Sequence, residues 1–178
     1  QGASPEEIST VIRCVSDILK YALSAPGEPV TVEEEIQYLK KYAAIQKFRF
    51  GDQFIIYYEV DDEVMDAAVF RLFLQPLVEN AIVHGLAVKP EGGRLHIRSW
   101  IRGKRIFISV SDTGAGIAPE RLAEIREELR NGESQKLGIG VSNISRRIKT
   151  MYPDGELLID SREGRGTVVR MAFTVAEM

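Results

Sequence analysis

The residues with the most chemistry in them sit in Leu74-Gln75-Pro76-Leu77-Val78-Glu79-Asn80-Ala81-Ile82-Val83-His84-Gly85. Asn80 offers a neutral amide oxygen, a donor that suits a hard cation such as Mg2+ already carrying phosphate oxygens and water. Glu79 beside it can orient a water or polarise a hydroxyl. His84 shares a helix side with Asn80 at i and i+4 and can donate to a phosphate or cap the helix C-terminus. Further on, Asp112-Thr113-Gly114-Ala115-Gly116-Ile117 places a carboxylate before a pair of glycines. Such an acid can accept from an exocyclic amine while the glycine backbone lets a flat ring come close. The same residues also spell a tight turn before a helix. Gly138-Ile139-Gly140 leaves backbone N–H groups free to face an anion at a helix start, or is a plain turn. It is no Walker A loop, because no Gly-Lys-Ser/Thr follows, and no Rossmann fingerprint, because no parallel βαβ unit surrounds it. Gly164-Arg165-Gly166-Thr167 sets a small hydroxyl at the start of the last strand, in what otherwise reads as a hairpin turn.

These groups need elements to position them. Leu74, Leu77, Val78, Ala81 and Ile82 recur at helical spacing, so Glu79, Asn80 and His84 project from the polar side of a buried helix. Pro76 requires that helix to begin near Phe73 or Leu74, and Gly85 suits its C′ position. Asp112 lies at the end of a β-hairpin whose strands alternate Leu95, Ile97 and Ile101, then Ile106, Ile108 and Val110, as the inward face. His96 falls on the solvent side. A helix from Pro119 to about Asn131 turns Leu122, Ile125 and Leu129 inward. After the polar stretch 131–136, a helix opened by Gly138-Ile139-Gly140 turns Val141, Ile144, Ile148 and Met151 inward. Glu156–Ser161 and Thr167–Val175 form a last hairpin. Upstream, Ser4-Pro5-Glu6-Glu7 is a helix start, and Thr31-Val32-Glu33-Glu34 is a capping box opening a second helix to about Phe48. The stripe Ile8, Val11, Ile12, Val15, Leu19 and Ala22 on the first helix has no obvious cover within the chain. Phe54 to Val60 reads as a strand. The order predicts an α+β fold with a mixed, mostly antiparallel sheet, helices on one face, and two preceding N-terminal helices.

The chain has 178 residues, of which 44% are hydrophobic and 28% charged, ordinary values for a soluble globular protein. A formal charge of −3 argues against nucleic acid as the partner. One cysteine, Cys14, excludes an intramolecular disulfide and fits a reducing compartment. No apolar run is long enough to span a membrane, and no signal peptide is visible.

Taken together, Glu79-Asn80-Ala81, Asp112 to Gly116, Gly138 to Gly140 and Gly164 to Thr167 resemble the boxes of the nucleotide-binding fold shared by gyrase, heat-shock chaperones, histidine kinases and mismatch-repair ATPases. Leu74 to Ile82, and Gly138 to Asn143 running on to Arg146-Arg147, look like the LytS/YesM-type sensor histidine kinases. Thr31 to Phe50 resembles that family's linker. The resemblance implies a two-layer α/β sandwich (the Bergerat or GHKL fold), with residues 1–50 as the tail of a dimerisation region plus linker helix and 51–178 as the ATP-binding domain. It implies ATP and Mg2+ as cofactors, with Asp112 on the adenine amine and Thr167 nearby through water. Asn80 would hold Mg2+ and Glu79 would assist the acceptor. Gly114 and Gly116 would line the base pocket and Gly138 and Gly140 the phosphates, with Ile117, Ile139 and Asn143 also binding the nucleotide and residues 131–137 as a lid. The implied reaction is transfer of the γ-phosphoryl group to a histidine and onward to a response regulator receiver domain, within a cytoplasmic homodimer reaching a membrane only through other segments.

The chain departs from that pattern in two places. Where many histidine kinases carry a lysine three residues after the Mg2+ asparagine, this chain has Val83, so a phosphate contact falls to His84, Lys136 or Arg146. The family's acceptor histidine lies in a Pro-His-Phe segment, whereas the histidines here are His84 and His96. An ATPase switch of the same superfamily, an inhibitory serine kinase of a transcription factor and a nucleotide-binding module without catalysis remain as alternatives.

Overall fold

Ser4 starts the first helix as its sequence predicts: its Oγ accepts from Glu7 N at 3.2 Å, and the Glu7 carboxylate accepts from Ser4 N at 2.8 Å. The computed structural model describes residues 3–24, 28–131 and 139–175. Helix α1 (Pro5–Leu23) is followed by strand β1 (Pro29–Thr31) and helix α2 (Val32–Phe50), the latter opened by the Thr31–Glu34 capping box. Lys41 pairs with Asp17 at 2.8 Å and Glu35 with Tyr21 at 2.6 Å, so α1 and α2 pack as an antiparallel pair. The apolar stripe of α1 stays open, with Ile12 63% and Leu23 79% exposed. Helix α2 is apolar on more than one side. Ile36, Leu39 and Ala43 are buried, and so is Tyr38 on another side.

Strand β2 (Phe54–Val60), helix α3 (Asp62–Met65) and strand β3 (Ala68–Phe70) come next. The sequence reading missed β1, α3 and β3. Strands β1 and β3 pair antiparallel, Val30 opposite Val69, and fasten the start of α2 to the segment before the Asn80 helix. Three-residue strands carry too little alternation to register as a pattern. The main sheet adds β4 (Gly93–Arg102), β5 (Arg105–Asp112), β6 (Glu156–Arg162) and β7 (Gly166–Thr174), in the order β2-β4-β5-β7-β6. Only β2 with β4 is parallel, so the sheet is mixed and mostly antiparallel as expected.

One sheet face is buried: Leu95, Ile97, Ile106, Ile108, Met171 and Phe173 are at most 1% exposed. The other face carries Ile55, Tyr57 and Leu158 in contact with solvent, and His96 lies there stacked on Tyr57 at 4.6 Å between ring centres. Helices α5 (Pro119–Asn131) and α6 (Ile139–Met151) lie on the buried side with the Asn80 helix. Leu122, Ile125, Leu129, Val141, Ile144 and Ile148 are buried as read from the sequence, but Met151 is 47% exposed. Tyr152, four residues after Ile148, takes the inward position instead, 7% exposed and stacked on Phe173 with ring centres 4.3 Å apart. Among the described residues no helix is long and apolar enough to cross a membrane.

Candidate functional site

The Asn80 helix begins where the sequence placed it. Leu74 is the N-cap, and Pro76 sits in the first turn, where no N–H is required of it. Its end differs. Helix α4 (Gln75–Glu79) passes into π-helical turns over Asn80–Leu86, closed by Ala87 N donating to Ile82 O at 2.8 Å. Gly85 is therefore inside the helix and not its C′ residue. Its job is tertiary: Ala115 N donates to Gly85 O at 2.9 Å, and the backbones of Gly85 and Gly114 touch. Gly85 stands in the last turn, whose carbonyls have no partner within the helix, so its oxygen can accept from another segment.

Between this helix, the buried sheet face and helices α5 and α6 lies a cavity of about 440 Å3, in the size range of ligand sites. Of the residues singled out from sequence, Asn80, His84, Asp112, Gly116, Ile117 and Thr167 line it. Its apolar wall includes Leu77, Ala81, Val110, Ile125 and Val169, and Arg121 stands at its rim. The charged surface of α5 hid Arg121 in the sequence.

Asp112 ends β5 at the cavity floor. Its Oδ1 accepts from Gly114 N at 2.8 Å, which fixes the carboxylate orientation. Burial pushes its pKa above the usual carboxylate range, opposed by the Gly114 and Thr167 N–H groups and the charge of Lys89. Thr167 is held by Ser161, whose Oγ lies 2.9 Å from Thr167 Oγ1 and accepts from Ile117 N at 2.9 Å. Ser161 is a positioning residue that the sequence reading missed, although it faces Thr167 across the last hairpin. Gly116 has φ +67° and lies against the Arg162 carbonyl, so this loop turns only because the residue lacks a Cβ.

The Asn80 side chain is half-buried, with no hydrogen-bond partner among the described residues, and is free to ligate. Among the described residues no group of three or more His, Cys, Asp or Glu could hold a metal. A lone amide oxygen fits a cation that brings phosphate and water ligands with it, as Mg2+ does. His84 is exposed on the cavity wall in the last turn of the helix, which leaves both of its sequence readings open. Glu79 is exposed and does not line the cavity. Its charge reaches α2, where it adds to burial in pushing the Tyr42 hydroxyl up to about 12.

Gly114 is buried under Gly85, away from the cavity wall, so its missing Cβ makes room for backbone and not for a ring. Gly114→Ala is expected to destabilise the chain by about 2 kcal/mol through overpacking, read as a fall of roughly 5 °C in thermal midpoint. An unchanged midpoint would refute the close approach. Asn143 is exposed on α6, accepting from Arg146 at 3.2 Å. Ile139 and Gly140 open α6, whose Val141 lines the cavity. Lys136, Gly138 and all of the expected 131–137 lid except Asn131, which ends α5, lie outside the described residues.

Residues 65–177 match the family described as histidine kinase-, DNA gyrase B- and HSP90-like ATPases, and residues 1–54 match the histidine kinase family. A sensor-like histidine kinase of Staphylococcus epidermidis is 32% identical over 93% of this chain and 32% of its own length. The sensor protein kinase HptS of Staphylococcus aureus is 30% identical over the same shares. The chain thus spans about a third of the length of these curated relatives. Among solved structures, the histidine kinase domain of the Erythrobacter litoralis EL346 blue-light activated kinase superposes with TM-score 0.61 at 17% identity, covering 99% of this chain and 76% of that one. The catalytic domain of histidine kinase ThkA gives TM-score 0.60 at 20% identity, covering 83% and 96%.

Proposed function

The chain belongs to the family of histidine kinase-, DNA gyrase B- and HSP90-like ATPases, and on that premise we propose that it is the ATP-binding catalytic region of a two-component sensor histidine kinase. The observation that carries this reading is one apolar cavity lined by an oriented, half-buried carboxylate, Asp112, and by an amide, Asn80, without a partner among the described residues. The carboxylate accepts from the adenine amine, and Thr167, held by Ser161, presents its hydroxyl beside it. Leu77, Ala81, Val110 and Val169 surround the flat ring with apolar surface.

Asn80 would hold Mg2+, and the ion when bound would supply neutralisation of phosphate charge for the transfer. His84 lies on the same cavity wall and supplies a donor that Val83 lacks. Glu79, exposed beside Asn80 and close enough to α2 for its charge to act there, assists the acceptor imidazole. The acceptor is a histidine outside this sequence, since neither His84 nor His96 has the expected setting. The phosphoryl group then passes to a response regulator receiver domain. Residues 51–178 form the nucleotide-binding unit, and 1–50 are the end of the dimerisation region and its linker. The open apolar stripe of α1, with Ile8, Ile12, Val15 and Leu19 at least 40% exposed, supports a homodimer packed along it. The relatives carry sensor-kinase names, and a place as the cytoplasmic portion of a membrane-anchored sensor is part of the same proposal.

The test is incubation of a longer chain, with the upstream helix restored, with γ-labelled ATP and Mg2+. An acid-labile, alkali-stable protein label is the expected result. Released phosphate with no labelled protein would replace the kinase reading by an ATPase switch, and binding with neither product would leave a nucleotide-sensing module.

A further inference from the structure

We propose that Glu35, on the linker helix α2, is a positioning residue for the cation-binding amide of Asn80, and that Tyr21 on α1 tunes it; this inference rests on the ATP reading above. Glu35 is one of three consecutive acids at the start of α2, but it alone is driven inside, at 0% exposure. Its Oε1 accepts from Tyr21 Oη at 2.6 Å and from Leu72 N at 2.7 Å, and its Oε2 accepts from Leu74 N at 3.3 Å. Charge-assisted bonds of this kind are short and strong, and losing one leaves a buried partner unmet.

The groups so held are the turn that launches the Asn80 helix. Leu74 is the N-cap of α4, and no side chain of its own segment caps that helix. Glu35 takes the place of a local cap, and its charge faces the positive end of the helix. Leu72, at φ 59°, is the one non-glycine with positive φ among the described residues, a conformation that persists only when its surroundings enforce it. From Leu74 the helix runs one α turn into the π-helical segment that begins at Asn80. A shift of the launching turn therefore re-aims the amide oxygen.

The same turn receives other elements. Arg71 Nη1 donates to Tyr21 O at 3.0 Å, and its guanidinium lies 4.5 Å over the Tyr21 ring. Arg147 of α6 lies 4.0 Å over the Phe70 ring and donates to Arg71 O at 3.3 Å. Burial raises the Glu35 pKa against three backbone N–H groups and the Tyr21 hydroxyl, and Arg147 is the cation whose field meets it. Tyr21 makes its bond from α1, which packs along α2 and also receives Arg71 of the launching turn at the Tyr21 carbonyl and ring. A movement of α1 along α2 thus reaches the turn that launches the Asn80 helix through the Tyr21 hydroxyl on Glu35 and through Arg71.

The test uses the 178-residue chain and the variants Tyr21→Phe and Glu35→Gln. Phenylalanine keeps the ring under Arg71 and deletes only the hydroxyl, so Tyr21→Phe remains informative if Glu35→Gln fails to fold. Without nucleotide, hydrogen exchange of amides 77–86 should accelerate about tenfold in Glu35→Gln and about threefold in Tyr21→Phe, as loss of one charge-assisted bond implies. Exchange in β4 and β5 should stay at the parent rate. By calorimetry, the enhancement of ATP affinity by Mg2+ should fall about fivefold or more, while affinity measured in EDTA stays at the parent value. Parent-like exchange and parent-like Mg2+ enhancement in both variants would overturn the positioning role. Parallel loss of affinity with and without Mg2+, with faster exchange across the whole sheet, would reduce Glu35 to a general stabilising residue and overturn it too. A parent chain that binds no ATP would overturn the ATP reading and this inference with it, an outcome distinct from both.

Discussion

Asp112→Asn should lower adenine-nucleotide affinity by about 100-fold or more, by creating a donor facing a donor in a buried site. Oδ1 of Asp112 already accepts from Gly114 N at 2.8 Å. An asparagine must keep its oxygen there and turn its NH2 toward the adenine amine, or do the reverse and oppose Gly114; either choice leaves one N–H against another. The empty fold should not suffer. Burial raises the Asp112 pKa in the folded chain, so its ionised form costs stability. That contribution is most favourable below the unfolded pKa of about 3.9 and is lost as pH rises through the raised folded value. The asparagine variant carries no such cost and should melt at or above the parent temperature near neutral pH. In the parent, affinity should fall as pH drops through the raised pKa, because a protonated carboxyl has lost acceptor capacity. Calorimetry with ADP and thermal melts across pH check both, and unchanged affinity in the variant would remove Asp112 from the base pocket.

Asn80→Ala should cut Mg2+-dependent phosphoryl transfer by roughly 100-fold or more, the scale of removing one preorganised group that acts on developing charge. Affinity for ADP in EDTA should stay within about twofold of the parent, because apolar contacts and Asp112 hold the base. The Asn80 side chain has no partner among the described residues and is half-buried, so its loss leaves no orphaned group in the protein. The thermal midpoint should therefore move little. Wild-type transfer in the alanine variant, or equal losses with and without Mg2+, would count against the cation role.

Those variants target residues whose importance was legible in the linear chain, and the reason is locality. A capping box, a proline in a first turn and an apolar stripe act over a few residues, so Ser4, Thr31 and the Leu74–Ile82 face read directly as helix starts and a buried side. Alternation in 95–101 and 106–110 likewise specified a hairpin with Asp112 at its end, which placed the acid at a strand end before any packing was known. Hairpins dominate the order of elements, and that sufficed for a mixed, mostly antiparallel sheet. The resemblance carried by Glu79-Asn80-Ala81 and Asp112 to Gly116 supplied the family.

Only tertiary structure decided how these pieces meet. Glu33, Glu34 and Glu35 are the same residue type in sequence; packing of α1 and of the 70–74 turn buries the third and leaves the others in solvent. Gly85 reads as a helix terminator from its neighbours alone, yet the helix continues past it, because the Gly114–Ala115 backbone presses there and takes its carbonyl. Glu79 and Asn80 are adjacent, but only the folded chain turns Asn80 into the cavity and leaves Glu79 outside, within electrostatic reach of α2. Local propensity is written in spacing along the chain. Burial of a charge, contact of two backbones and the direction of one side chain depend on segments far away in sequence, and those are settled only when the layers close on one another.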